Sequence, residues 1–116
     1  MLAGSLTYAH HSAGAEFDLS KRITLAGRVT KIEWMNPHVY LYVDVSAGGK
    51  TANWACETAG PNTLERQGWS RNTLKIGDRV TVVGYRARDG ANVASAREIV
   101  LANGRKVLVG SPELHP

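Results

Sequence analysis

The sequence predicts an all-β protein, a small barrel of five strands with one short helix between the third and fourth strands. Three observations predict it. Apolar and polar residues alternate over several short segments, glycine-containing turns separate these segments, and one segment carries the signals of a helix start and stop. With 116 residues, 43% of them hydrophobic, the chain fits one globular domain whose core is small for its surface.

The first strand is predicted in the segment ITLAGRVTKIEWMNP. Its apolar residues alternate on both sides of Gly27, from Ile23 and Leu25 to Val29 and Ile32, as in a strand with one buried face. A glycine inside a strand indicates a bulge or a sharp bend. We therefore expect one long strand that serves two sides of the barrel.

The second strand is predicted in HVYLYVDVSAGG, where Leu41 and Val43 alternate with Tyr40 and Tyr42. One face of this strand is therefore apolar, and the other is aromatic and polar. The double glycine that follows makes a turn into KTANWACETA, the third strand. The first three strands are thus expected to form a meander.

A short helix is predicted within Pro61–Gly68, because Pro61 suits a first helical turn, Leu64 supplies an apolar contact and Gly68 ends the pattern. Two more strands follow, in IGDRVTVVGYRARDG and NVASAREIVLANGRKVLV, with turns at Asp89–Gly90 and Asn103–Gly104. This order is typical of an oligonucleotide/oligosaccharide-binding (OB) barrel. The alternative is another small barrel, such as an SH3-like one, with the helix displaced.

The chain divides into a signal-peptide remnant or disordered arm at 1–9, an N-terminal arm at 10–22, the barrel domain at 23–110 and a tail at 111–116. The first part ends in Thr-Tyr-Ala, an acceptable small-x-small cleavage site. We expect cleavage after Ala9 and a periplasmic or secreted bacterial protein that begins at His10. The alternative is a disordered arm of a cytosolic protein.

Composition narrows the class of partner only slightly. The net charge is +4, but the basic residues are spread along the chain, so the charge does not by itself indicate an anionic partner. No apolar run has the length of a membrane span. The single cysteine, Cys56, excludes an intramolecular disulfide and a zinc site built on a cysteine pair, and its strand context predicts a buried thiol.

Several segments together resemble an uncharacterised family of small exported bacterial domains. They are AHHSAGAEFD, ITLAGRVTKIEWMNPHVYLYVDV, NWACETAGPNTLERQGW and LKIGDRVTVVGYRARDGANVASAREIVLANGRKV. The resemblance covers nearly all of residues 9–110 and includes the His-His pair and the Asn-Pro-His motif. It implies export and a barrel-like fold, but no activity.

Three histidines are the candidate metal ligands: His10, His11 and His38. Pro37 stiffens the loop that holds His38 at the start of the second strand. An N-terminal His10 offers an amine and an imidazole, similar to the histidine brace of copper oxidases. Cleavage one residue earlier gives Ala-His-His, similar to the copper and nickel motif of serum albumins. Nitrogen ligands of this kind favour copper(II), and a flexible chelating pair is the alternative.

The second candidate is an aromatic surface of Trp34, Tyr40, Tyr42 and Trp54, where an OB barrel has its usual binding face. It predicts an accessory module for a protein or a glycan, since nucleic acid is an unexpected ligand for an exported domain. The alternative is that both tryptophans fill the barrel ends and the tyrosines cover the sheet.

Enzymatic motifs are missing, and Glu16, Asp18, Glu33 and Glu57 give no spacing that indicates acid–base catalysis. The leading hypothesis is a non-enzymatic, exported binding domain with a copper or other transition-metal site. The aromatic module ranks second and a copper-dependent oxidase third. The sequence does not indicate the oligomeric state.

Overall fold

The computed structural model describes residues 16–110, and within them the chain forms six strands and one helix. The strands are β1 (Phe17–Glu33), β2 (Tyr40–Ala47), β3 (Lys50–Glu57), β4 (Arg79–Ala87), β5 (Val93–Leu101) and β6 (Lys106–Leu108), and the helix is α1 (Pro61–Arg66). No helix of this part of the chain is long and apolar enough to cross a membrane.

The strands form one sheet in the order β3-β2-β1-β4-β5-β6, and neighbours in this order are antiparallel. A parallel pairing of β3 with β5, from Ala55 opposite Val93 to Glu57 opposite Ser95, closes the sheet into a ring. The helix α1 lies between β3 and β4 in the chain. The prediction of a small all-β barrel with one short helix in that position is confirmed.

β1 has an irregularity two residues beyond Gly27, where the sequence predicts a bulge or bend. Its register with β2 shifts between Val29 and Lys31, and a Cβ added at Gly27 would overlap the carbonyl oxygen of Asp44. Only glycine therefore lets β1 and β2 come this close. The first half of β1 pairs with β4 and the second half with β2, so one strand serves two sides of the ring.

β1 begins at Phe17, ahead of the predicted start at Ile23, and residues 17–22 are therefore strand where the sequence indicates an arm. Phe17 is buried opposite Ala87, but the register shifts before Arg22. At this irregularity the Asp18 carboxylate accepts hydrogen bonds from the backbone and hydroxyl of Ser20. The segment is therefore held extended by pairing at its two ends, Phe17 and Arg22, and has no alternating pattern in the sequence.

A sixth strand, β6, adds to the five that the sequence predicts. It follows the predicted turn at Asn103–Gly104 and pairs with Glu98–Val100 of β5. Three residues are too few for a recognisable alternation. Beyond β6, the Val109 carbonyl accepts a hydrogen bond from the Ala59 amide at 2.8 Å, so the end of the barrel domain is fastened to the chain just before α1.

The core follows the predicted alternation. Residues with inward-facing side chains come from all the long strands, and α1 and the segment after it add Leu64 and Trp69 to the same core. The fully buried strand residues include Val29, Leu41, Val43, Val82 and Ile99. Tyr40 and Tyr42, which alternate with Leu41 and Val43, are therefore on the outer face of β2.

Candidate functional site

The loop that carries Asn36, Pro37 and His38 joins β1 to β2 and packs against the segment before α1. The peptide bond between Asn36 and Pro37 is cis. A Cβ added at Gly60 would lie 2.6 Å from the Pro37 carbonyl oxygen, so the two segments meet closely because Gly60 has no side chain. The motif is thus held by tertiary contact as well as by its proline.

The imidazole of His38 is fixed by one hydrogen bond. Its Nδ1 lies 2.8 Å from the Thr58 carbonyl oxygen. A carbonyl only accepts hydrogen bonds, so Nδ1 carries the proton and donates it. In the neutral ring Nε2 then holds the free lone pair, which is the arrangement typical of metal-bound histidines, where the second nitrogen donates to an outer partner.

Thr58 is a rigid partner for His38. Its residue surface is only 1% exposed, its amide donates to the Val39 carbonyl at 2.9 Å, and its hydroxyl contacts the same oxygen at 2.9 Å. The Val39 amide in turn donates to the Ala59 carbonyl at 3.1 Å. The orientation of the imidazole is therefore set by a buried backbone network.

The other predicted ligands, His10 and His11, lie outside the described residues, as does His115. Within residues 16–110, no three or more His, Cys, Asp or Glu side chains are grouped so that they could hold a metal ion. Of the three predicted histidine ligands, His38 is therefore the one that lies in the described part of the chain.

The outer face of β1, β2 and β3 carries two stacked tyrosines between two carboxylates. The ring centroids of Tyr40 and Tyr42 are 6.5 Å apart, with an interplanar angle of 27°. The Tyr40 hydroxyl donates to Glu57 Oε2 at 2.7 Å, and the Tyr42 hydroxyl donates to Glu33 Oε1 at 2.8 Å. We call these four residues the tyrosine–glutamate face.

Lys31 completes one edge of this face. Its Nζ lies 3.2 Å from Glu33 Oε2 and 5.4 Å from the centroid of the Tyr42 ring. The hydrogen bond from Tyr42, followed by the contacts with Lys31, lowers the pKa of Glu33 below its ordinary value. Burial, and then the hydrogen bond to Glu33, raises the pKa of Tyr42. The tyrosine is thus neutral and the glutamate ionised at neutral pH.

The four predicted aromatic residues do not form one surface. Trp54 is opposite the core residue Val43 and is 8% exposed, and the guanidinium carbon of Arg86 lies 4.9 Å from the centroid of its ring. Trp34 is partly buried and packs against the core. Only Tyr40 and Tyr42 come together on the outer face.

No pattern in the sequence indicates that Glu33 and Glu57 belong to this face. Glu33 is opposite Tyr40 in the β1–β2 pairing, and Tyr40 is opposite Glu57 in the β2–β3 pairing. Glu33 and Glu57 come together because of the register between neighbouring strands. That register depends on both the turn lengths and the alternation within each strand. The alternation within β3 does place Trp54 and Cys56 on the same, inward side.

Cys56 has no exposed surface, in agreement with the expected buried thiol. Burial raises its pKa to about 12. The thiol is therefore protonated at neutral pH, and a protonated thiol is a poor nucleophile and a poor metal ligand.

Alkaline pH is expected to destabilise the fold through Tyr40. Burial, followed by the hydrogen bond to Glu57 and the charges of Glu57 and Glu16, raises the pKa of Tyr40 well above its ordinary value. A raised pKa in the folded state gives stability that is complete below pH ~10 and is lost as pH rises further.

The Tyr40→Phe variant should therefore lose stability less steeply than the wild type between pH ~10 and ~11. Because a single proton is involved, the two proteins can differ in their loss of stability by at most about 1.4 kcal/mol per pH unit. Solvent screening at this partly exposed site makes the difference smaller. Urea unfolding at pH 8 and at pH ~11 measures the difference, and ionisation of Cys56 adds the same loss to both proteins. Equal losses would contradict the expected role of Tyr40.

Comparison with known proteins places the chain in a family but gives it no activity. Among curated proteins, none matches the sequence significantly. A model of a family of unknown function matches residues 1–96, more than half of the chain, and this confirms the resemblance to an uncharacterised family. The chain belongs to that family of unknown function, DUF6152.

Proposed function

We propose that the protein is an exported binding domain that holds one copper ion between His38 and the N-terminal histidines His10 and His11. The hydrogen bond from His38 Nδ1 to the Thr58 carbonyl carries this proposal. It fixes the ring, selects the tautomer and leaves Nε2 as a nitrogen ligand. A ligand that is oriented before binding loses less entropy when the metal arrives.

The path of the chain supports a shared site. Glu16, the first described residue, accepts a hydrogen bond from the Arg88 amide at 2.9 Å through its carbonyl oxygen. Its carboxylate also adds, after burial and Glu57, to the rise in the pKa of Tyr40. Tyr40 follows His38 by two residues. His11 precedes Glu16 by five residues, and an extended chain of that length spans up to ~18 Å. The proposed site requires this segment to reach the loop of His38.

Copper is the metal that the donor set favours. Two or three imidazoles and an α-amine are nitrogen ligands, and such sets bind copper(II) more strongly than the other divalent first-row ions. Cleavage after Ala9 would provide the amine of His10, and cleavage one residue earlier would provide an Ala-His-His chelate. Both forms keep His11 and His38 in the proposed site.

Copper(II) titration of the processed protein, beginning at His10, tests this function. We expect one tight equivalent and a Kd at least tenfold higher in His38→Ala, which corresponds to about 1.4 kcal/mol. Affinity should also fall below pH ~6.5, because protonated imidazoles do not coordinate. His115→Ala, which removes a histidine of the C-terminal tail, is the control and should keep the wild-type affinity.

A synthetic peptide of residues 10–18 separates a built site from a flexible chelator. The folded protein should bind copper more tightly than this peptide. One alanine added before His10 should weaken binding by displacing the α-amine. Equal affinity of peptide and protein, with no effect of His38→Ala, would reject the copper site.

The tyrosine–glutamate face favours a second function, an accessory module for a glycan or a protein. Both tyrosine hydroxyls donate to carboxylates, so the rings are held in place and the free lone pairs of Glu33 and Glu57 can accept hydrogen bonds from a ligand. Stacked aromatic rings beside carboxylates suit sugar rings and cationic side chains. This function is favoured if copper binding does not depend on His38.

A further inference from the structure

A groove lies at the far end of β2 from His38 and shares no residue with the proposed copper site. Its volume is about 860 Å³, within the range of small-molecule sites. Strands β1 to β5 and the turn before β4 contribute to it. The lining residues that carry the argument are Arg28, Arg79, Asp44, Ile76, Thr81 and Leu101.

Two arginines lie side by side in this groove, and neither forms an ion pair with a residue among 16–110. Arg28 and Arg79 are directly opposite each other in the β1–β4 pairing, where like charges repel. Arg28 Nη1 donates to the Gly77 carbonyl at 3.1 Å, while the guanidinium of Arg79 makes no hydrogen bond or ion pair with any residue among 16–110. The acidic residue of the lining, Asp44, is directly opposite Arg28 in the β1–β2 pairing but forms no ion pair with it. Its carboxylate accepts a hydrogen bond from Asn53 Nδ2 at 2.8 Å.

The rest of the lining combines apolar residues with the hydroxyl side chains of threonines and a serine. Ile76 is 72% exposed, the most of the large apolar residues that face solvent in the described chain. It lines the groove together with the partly buried Leu101. A groove lined by both an exposed isoleucine and an unpaired guanidinium fits a ligand with both an apolar and an anionic part.

We propose that this groove binds a small organic carboxylate, with its carboxylate on Arg28 and Arg79 and its hydrocarbon part against Ile76 and Leu101. A guanidinium matches the two oxygens of a carboxylate in geometry, and a charge-assisted hydrogen bond to it is stronger than a neutral one. The ligand would also relieve the repulsion between the two arginines.

NMR titration of the full chain with sodium octanoate tests the site. Octanol presents the same hydrocarbon without charge, and acetate presents the carboxylate without the hydrocarbon. We expect octanoate to shift the amides of Gly77 and Thr81 in a saturable manner, with a Kd at least tenfold lower than that of either control compound.

Arg79→Gln should raise the octanoate Kd at least tenfold while leaving the urea midpoint unchanged or higher, because it removes one of two repelling charges. Arg71→Gln, an exposed arginine outside the groove, is the matched control and should bind as the wild type. The site is rejected if octanol binds as tightly as octanoate, if Arg79→Gln binds normally, or if the shifts lie outside the groove.

Discussion

Truncation of Leu64 to alanine is expected to lower the free energy of unfolding by about 2–5 kcal/mol. Leu64 is 0% exposed and is the residue through which the six-residue helix α1 enters the core. So short a helix has little stability of its own, and the buried Leu64 side chain joins it to the core. The loss is large against a total stability of about 5–15 kcal/mol.

The chain offers a matched control for this change. Leu108 is 56% exposed on β6, so Leu108→Ala removes the same atoms from a site that is mostly in water. We expect its cost to stay below ~1 kcal/mol. Urea unfolding of both variants measures the difference. Similar values for the two would show that α1 does not contribute to the core as described.

Gly84→Ala is the second substitution with a large expected effect, a loss of about 3 kcal/mol or more. A Cβ at Gly84 would overlap the Ser95 carbonyl oxygen and come within 3.0 Å of the Ala96 Cα. The overlap involves backbone atoms, so no change of rotamer can relieve it. Strands β4 and β5 would have to separate where their register already shifts, at the upper end of the cost of overpacking.

Gly48→Ala is the control, because it makes the same replacement of glycine by alanine at a position without a steric overlap. Gly48 has a φ of 59°, and no atom lies within 4 Å of an added Cβ. Its replacement should therefore cost only the left-handed conformation, about 1 kcal/mol. Urea unfolding of the two alanine variants should rank Gly84→Ala clearly below Gly48→Ala in stability. The reverse order would contradict the close approach of β4 and β5.

Local patterns predict most of the barrel. The alternation along β2 indicates which side of the strand is buried, and Pro61, Leu64 and Gly68 place the helix where the structure has it, at Pro61–Arg66. Such signals depend only on neighbours in the sequence. The beginning of β1 and the whole of β6 lack them, because pairing with β4 and β5 alone makes these residues extended.

The candidate site depends more on contacts between distant segments. The sequence indicates that His38 starts a strand, but the partner of its Nδ1 is Thr58, which belongs to another connection of the barrel. Likewise, the alternation places Tyr40 and Tyr42 on one face, while only the register between strands shows that Glu33 and Glu57 join them and that Trp54 is opposite Val43 in the core.

The pairing of the long strand β1 with both β2 and β4 has a consequence for how the chain folds. Phe17 pairs with Ala87, and the pairing of β3 with β5 completes the ring, so the pairings that close the barrel join segments that are far apart in the sequence. Folds of high contact order must close large loops before any contact compensates the lost entropy, and they fold in milliseconds to seconds. During synthesis the first strand therefore has no partner for its leading half until most of the domain has left the ribosome.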